Sequence, residues 1–261
     1  MSPSHKALDE YRKCDLKCDV IQKYTMSNTL PEEKYIIVDE IGMVDGQMWD
    51  MLYKCKLSNK QIMAYGDFNQ LLPVGCDTQY DNPNFLNLMF NKQLTNNKNY
   101  RNDFTHDYYD TLRFNATKLR EQELTKYNTK YEDAELIIAY RRTIRDEFNI
   151  KMCEKLNIEN LCDIGAKVIC KTNALRQFNI YNNMCFVVKE VNPTTIIIET
   201  ETTTHSIPIT KFKRKNYFDF AYALTLYAVQ GSSLGSFHYC EEDIKFLNGR
   251  SLYTLISRLK K

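Results

Sequence analysis

Two carboxylates stand side by side at Asp39 and Glu40, directly after the apolar run Tyr35-Ile36-Ile37-Val38. A strand that ends on paired acids offers one hard oxygen ligand for a divalent cation and one general base for water. A second set, Gly66-Asp67-Phe68-Asn69-Gln70-Leu71-Leu72-Pro73-Val74, puts a carboxylate and an amide on one turn. Gln70 there can hydrogen-bond a terminal phosphate or the attacking water. Further on, Gln230-Gly231 forms a turn whose backbone N–H groups suit phosphate oxygens, and Arg258 brings a planar guanidinium for charge on a transferring phosphoryl group. Together the four sets describe transfer of a phosphoryl group to water. For the acid pair alone a plainer alternative stays open, since an Asp after a strand is also a common helix N-cap.

The elements that must position these residues can be read from the apolar pattern. Four consecutive apolar residues at 35–38 predict a strand buried on both faces of a parallel sheet, with the acids at the carboxyl end, where open α/β sheets bind ligands. Gly46 to Lys54 has helical spacing, and Gln61-Ile62-Met63-Ala64-Tyr65 is a second strand ending at Gly66-Asp67, which completes a β-α-β unit. Residues 75–99, rich in Asn and Asp, read as an irregular crossing with a short apolar segment at Phe85–Phe90. Helical pattern returns from Phe104 to about Arg120, then a third buried-type strand at Glu135–Tyr140 and a helix from about Thr143 to Leu156. Lys167–Cys170, Cys185–Val191, Thr195–Thr200 and His205–Ile209 are short β-type runs punctuated by Asn-Asn and Asn-Pro, and they predict a small antiparallel barrel inserted in the α/β frame. The frame resumes at Tyr222–Thr225 and closes at Ser251–Lys261.

Composition narrows the class. The 261 residues suit one large domain or two ordinary ones, and 43% hydrophobic with 26% charged residues is globular. A net charge of +2 means that any nucleic-acid site is a local groove rather than a basic domain. Basic clusters occur at Arg141-Arg142 with Arg145, and at Lys211, Lys213, Arg214 and Lys215, although solvated faces also carry such clusters. Nine cysteines without a C-x-x-C pair, and four scattered histidines, predict no structural metal. The odd cysteine count and the lack of a signal peptide favour an intracellular, reducing location, nucleus or cytoplasm. No apolar run approaches the ~20 residues that span a bilayer.

Taken in order, the motifs resemble the superfamily 1 DNA helicases of the RecD, Dda and Pif type, which are P-loop NTPases. Ser2-Pro3-Ser4-His5-Lys6-Ala7 resembles motif Ia, and Ile37 to Asp45 resembles motif II, the Walker B segment. Gly66 to Val74 resembles motif III, Tyr100-Arg101 the arginine of motif IV, Tyr222 to Leu234 motif V, and Tyr253-Thr254-Leu255-Ile256-Ser257-Arg258 motif VI. The resemblance implies an α/β fold of two RecA-like domains. The first would be partial, at 1–99, and the second would span 100–261, with an SH3-like β-barrel insertion at about 165–210. It implies ATP and Mg²⁺ as cofactors, with Asp39 on the metal and Glu40 as base. Gln70, Arg101, Gln230, Gly231 and Arg258 would lie on the nucleotide, the two arginines reaching it from the second domain so that ATP closes the cleft. Ser4, His5, Lys6, Thr225 and Tyr227 would hold single-stranded DNA or a DNA fork, and replication proteins are possible partners.

The chain also departs from that pattern. Motif V usually reads T-x-H-K-S-Q-G, whereas Tyr227, Ala228 and Val229 replace its His, Lys and Ser. A tyrosine there can stack on a base. The phosphate loop G-x-x-x-x-G-K-[ST] occurs nowhere in the 261 residues, and from the position of motif Ia it is expected just upstream of residue 1. Three readings follow: the C-terminal part of an ATP-dependent DNA helicase, a non-catalytic helicase remnant that holds DNA or protein, or an RNA-directed superfamily 1 helicase. Abundant Asn, Lys, Ile and Tyr suit an AT-rich genome or a large DNA virus, which would place the protein at a viral replication site.

Overall fold

The computed structural model describes residues 1–261 apart from 4–7, 9–10, 12–13, 15, 74, 77–79, 81, 95–103, 105, 201–202 and 261, and apart from the side chains of 106 and 113–121. The chain packs as two units. One holds Met1–Thr125, Gln230–Gly235 and Leu247–Lys261, and the other Lys126–Val229 and Ser236–Phe246. These bounds differ from a division at residue 99, because the motif VI segment and part of motif V pack into the first unit.

In chain order the helices are α1 (Ile21–Ser27), α2 (Gly46–Leu57), α3 (Pro83–Met89), α4 (His106–Tyr127), α5 (Arg142–Leu156), α6 (Ile209–Phe212) and α7 (Gly249–Ser257). The strands are β1 (Tyr35–Val38), β2 (Gln61–Ala64), β3 (Leu136–Ala139), β4 (Lys167–Cys170), β5 (Cys185–Val191), β6 (Thr195–Glu199), β7 (Thr204–Pro208), β8 (Phe218–Phe220), β9 (Ala223–Thr225) and β10 (Phe237–Tyr239).

In the first unit β1 and β2 pair in parallel, Ile36 opposite Ile62 and Val38 opposite Ala64, with α2 as their crossover. Asp45, in extended backbone, caps α2 by accepting from the Met48 N–H at 2.9 Å, and the helix lays Met48, Trp49, Met51, Leu52 and Cys55 into a core with Ile21, Ile36 and Val38. β1 is not buried on both faces as its apolar run predicted. Ile36 and Val38 are buried, while Tyr35 and Ile37 are exposed, as are Met63 and Tyr65 at the end of the paired strand. α2 covers one face of the pair, and among the described residues nothing comparable covers the other. The backbone of Met1 runs along β1, its ammonium donating to the Ile37 carbonyl at 2.6 Å and its carbonyl accepting from Asp39 at 2.9 Å.

Two helices go beyond the sequence reading. Residues 83–89 are helical rather than irregular, because Asn82 caps the Asn84 N–H at 2.9 Å and Pro83 at the first position presets φ. α1 ends on Asn28 in the left-handed conformation, and no sequence periodicity marked it.

The second unit holds two sheets. One is parallel, in the order β10-β3-β9, with α5 against it; Ile144 and Phe148 of that helix share a core with Ile137, Ala139 and Ala223. Asn149 is buried there and locks helix to strand, donating to the Ala223 carbonyl at 3.1 Å and accepting from its N–H at 2.9 Å. The other sheet is antiparallel, in the order β7-β6-β5-β4-β8, around its own apolar core of Val168, Leu175, Phe186, Ile198, Ile207 and Phe212 among others. Four of its strands match the runs expected for an inserted barrel, and β8 adds a fifth. Among the described residues no pairing joins the outer strands β7 and β8.

Candidate functional site

The acids follow β1 at once, and their geometry is set by two glycines. A Cβ on Gly42 would stand 2.5 Å from the Asp67 carbonyl oxygen, and one on Gly66 would stand 2.6 Å from the Ile41 nitrogen. Gly66 also has φ +152°. The tips of β1 and β2 therefore touch backbone to backbone, tied by the Tyr65 N–H to the Val38 carbonyl (2.8 Å) and the Ile41 N–H to the Tyr65 carbonyl (2.9 Å). Only residues without a side chain permit that approach.

Glu40 sits in the left-handed region, φ 55° and ψ 47°, a conformation that costs a non-glycine residue about 1–2 kcal/mol. Its N–H donates to Asp39 Oδ1 at 2.9 Å. The Asp39 carboxylate also accepts from the Tyr11 hydroxyl; burial first, and then the charge of Asp39, push that phenol above its ordinary pKa. Glu40 holds the N-cap position of the 3-10 turn Ile41–Met43, but its side chain makes no capping hydrogen bond there. The cap at this place is Asp45, six residues after Asp39, so the plainer alternative for the pair is filled by another residue.

Helix α7, capped by Asn248 through the Ser251 N–H (2.9 Å), brings its face onto the β2 tip. Residues 250, 254 and 258 recur every four positions and form one stripe. Arg250 donates to the Phe68 carbonyl and to that of Gln70 (3.3 Å), and Thr254 Oγ1 accepts from the Leu71 N–H (3.1 Å). Tyr253, next along the helix, donates to the Asp67 carboxylate. Arg258, only 3% exposed, donates through Nη2 to Gln70 Oε1 and holds Nη1 3.8 Å from Glu40 Oε1. Gln230, also buried, donates to the Leu71 carbonyl at 3.4 Å from behind the same loop. The tail is anchored by reciprocal bonds of 2.8 Å, Leu234 N–H to the Arg258 carbonyl and Lys260 N–H to the Leu234 carbonyl.

Four of the expected residues thus meet in one unit, Asp39, Glu40, Gln70 and Arg258, with Gln230 in support. Gly231 follows with φ +82° and open space where a side chain would be. Thr225 and Tyr227 belong to the other unit, at the end of β9 and in the 3-10 turn Leu226–Val229; burial raises the Tyr227 phenol pKa. Arg101, Ser4, His5 and Lys6 lie outside the described residues. Sequence reasoning gave no role to Tyr11, Arg250, Tyr253 or Thr254, although the four-residue spacing of Arg250, Thr254 and Arg258 was a usable signal.

The donor set fits Mg²⁺. Asp39 and Glu40 offer hard carboxylate oxygens, and among the described residues no cluster of three or more His, Cys, Asp or Glu stands ready as a complete cage. Mg²⁺ typically takes one or two carboxylates and completes its shell with water and phosphate.

Comparison with solved structures decides the architecture. The chain superimposes on a Pif1 helicase from Candida albicans with a TM-score of 0.65 at 15% identity, covering 99% of this chain and 80% of that one. The fold is that of the Pif1 helicases. A Bacteroides Pif1 bound to single-stranded DNA matches with a TM-score of 0.61 at 13% identity, covering 100% and 80%. A Bacteroides Pif1 helicase in complex with ADP-AlF3 and single-stranded DNA matches at 0.60 and 16%, covering 94% and 72%. A family model described as an AAA domain matches residues 4–76, which contain the acid pair and Gln70. No curated protein sequence matches the chain.

Proposed function

We propose that the chain is the motor part of an ATP-dependent DNA helicase that moves on single-stranded DNA. The observation that carries this reading is the convergence of Glu40 and Gln70 on the buried Arg258, three residues from distant parts of the sequence. In this reading Asp39 would hold Mg²⁺, which when bound would neutralise phosphate charge. Glu40 takes the proton of the attacking water, its side chain aimed by the left-handed backbone. Gln70 orients that water, and Arg258 stabilises charge on the transferring phosphoryl group. The guanidinium now spans Glu40 and Gln70, so an arriving phosphate competes with the base for it. Such competition would report the state of the nucleotide to the β2 tip and α7. The Pif1 structures carrying ADP-AlF3 and single-stranded DNA support nucleotide and DNA as the partners. Replication or repair proteins are the partners such an enzyme would serve, and nine unpaired cysteines suit a reducing compartment.

A second reading has its own observation. Without a phosphate loop in these 261 residues the β- and γ-phosphates lack their usual cradle, so the chain by itself would bind DNA and turn over no ATP. Anisotropy titration of labelled oligo(dT) and of the matching RNA, together with DNA-stimulated ATPase assays, tests both. Salt-sensitive DNA binding is expected, with negligible turnover by this chain and turnover restored when a phosphate-loop segment is joined in frame ahead of it. No DNA binding at low salt would overturn the helicase reading, and tighter binding of RNA would move it to the RNA-directed class. Brisk turnover by the chain alone would show that the missing loop is not required.

A further inference from the structure

At the carboxyl end of β3 the second unit carries an arrangement that the phosphoryl-transfer site does not use. Asp243, fully buried, accepts the N–H groups of Tyr140 (2.7 Å) and Arg141 (2.9 Å) and pairs with Arg141 Nε at 2.5 Å. This carboxylate clamp fixes the backbone of Tyr140 but makes no use of its ring. Tyr140 is 40% exposed, and its ring lies flat on Phe246, centroids 5.1 Å apart and planes 11° from parallel. Cations flank the pair: Arg141 Cζ is 5.3 Å and Lys245 Nζ 5.2 Å from the Phe246 centroid, and exposed Arg142 follows in the chain. Tyr227, in the turn after the neighbouring strand, has its phenol pKa raised by burial first and then by Tyr140.

We propose that Tyr140, backed by Phe246, is a stacking platform for one base of single-stranded DNA, with Arg142 and Lys245 serving the flanking phosphates. A rigid, solvent-facing aromatic beside cations is the chemistry that sequence-neutral strand binding needs, because every base has a π-face and every nucleotide a phosphate. The clamp holds the backbone of Tyr140, and at 40% exposure the residue still reaches solvent. This inference rests on the helicase reading and adds to it a site on the second unit.

The whole 261-residue chain is titrated with oligo(dT) carrying one 2-aminopurine, and with an oligonucleotide in which that position is abasic. Tyr140→Ala should weaken binding by about 5- to 150-fold, the span of one lost base–aromatic stack. It should also abolish 2-aminopurine quenching, while Tyr140→Trp keeps both. Lys245→Ala should lower the salt slope by about one phosphate contact without changing quenching. Because the clamp uses the backbone N–H groups of residues 140 and 141, Tyr140→Ala keeps it and should melt only slightly below the unaltered chain, having lost the Phe246 stack. Binding and quenching unchanged in Tyr140→Ala would overturn the platform and leave the helicase reading intact. An unaltered chain that binds no single-stranded DNA would overturn both.

Discussion

The two units present their functional ends by opposite electrostatic means. In the first, a buried cation, Arg258, gathers an amide and a carboxylate from two loops. In the second, a buried anion, Asp243, gathers two backbone N–H groups and a guanidinium from one. One Asp243 oxygen is held by two backbone donors that the fold supplies permanently, and the other by the Arg141 side chain. The Arg258 guanidinium reaches the side chains of Gln70 and Glu40, which can swing, and the glutamate stands in a strained backbone conformation. A charge held by backbone is a fixture, whereas a charge held by side chains in a strained loop can change partners when a ligand arrives. The sheets differ in the same sense: β3 is buried from Ile137 to Ala139 between two neighbours, while β1 alternates buried and exposed residues.

The sharpest way to break this contrast is Arg258→Met. In a chain joined to a phosphate loop, ATP turnover should fall about 10³- to 10⁵-fold, the range for an arginine that stabilises phosphoryl transfer. Thermal stability should fall by about 1–3 kcal/mol, since the buried Gln70 Oε1 loses its donor and Glu40 its neighbouring cation. Retained turnover would make Arg258 a structural ion like Asp243. Next in size, Glu40→Gln should lower turnover about 10²- to 10⁴-fold in the same chain while nucleotide binding persists. If nucleotide binding disappears as well, Glu40 belongs to the binding set and the base lies elsewhere.

The counterpart is Asp243→Ala. Its loss leaves two N–H groups and the Arg141 guanidinium without their shared acceptor, at a cost of about 3–5 kcal/mol read from urea unfolding. Asp243→Asn keeps an acceptor oxygen and should cost less. Equal losses in Arg258→Met and Asp243→Ala would erase the distinction between the two buried ions.

How much of this was visible beforehand depends on range. The strands at 35–38, 61–64 and 136–139 and the four inserted strands follow from local apolar runs, and so did the acids at a strand tip. The direct contact of Gln70 with Arg258 was not read: motif resemblance put both on the nucleotide but Arg258 in the second domain, and across 188 residues no local pattern encodes the contact. The exposure of Tyr35 and Ile37 could not be read, because Tyr35-Ile36-Ile37-Val38 has the same composition whether one face is covered or two. Asp243 was missed for a related reason. It sits between Glu242 and Ile244 like any surface acid, and only the return of residues 236–246 to the end of β3 makes it a clamp.

The smallest expected effect separates working acids from capping ones. Asp45 completes the run Asp39-Glu40-Ile41-Gly42-Met43-Val44-Asp45 and is an acid close to the site, yet its side chain is engaged by the Met48 N–H. Asp45→Ala should remove about 1 kcal/mol of stability, the usual worth of an N-cap, and Asp45→Asn or Asp45→Ser should recover most of it. Turnover in the phosphate-loop-extended chain should stay within about twofold, because a cap shift of that size leaves the two glycine contacts that aim Glu40 in place. A drop in turnover approaching that of Glu40→Gln, with stability little changed, would mean that Asp45 faces the reacting groups. The acids after β1 would then have to be assigned again.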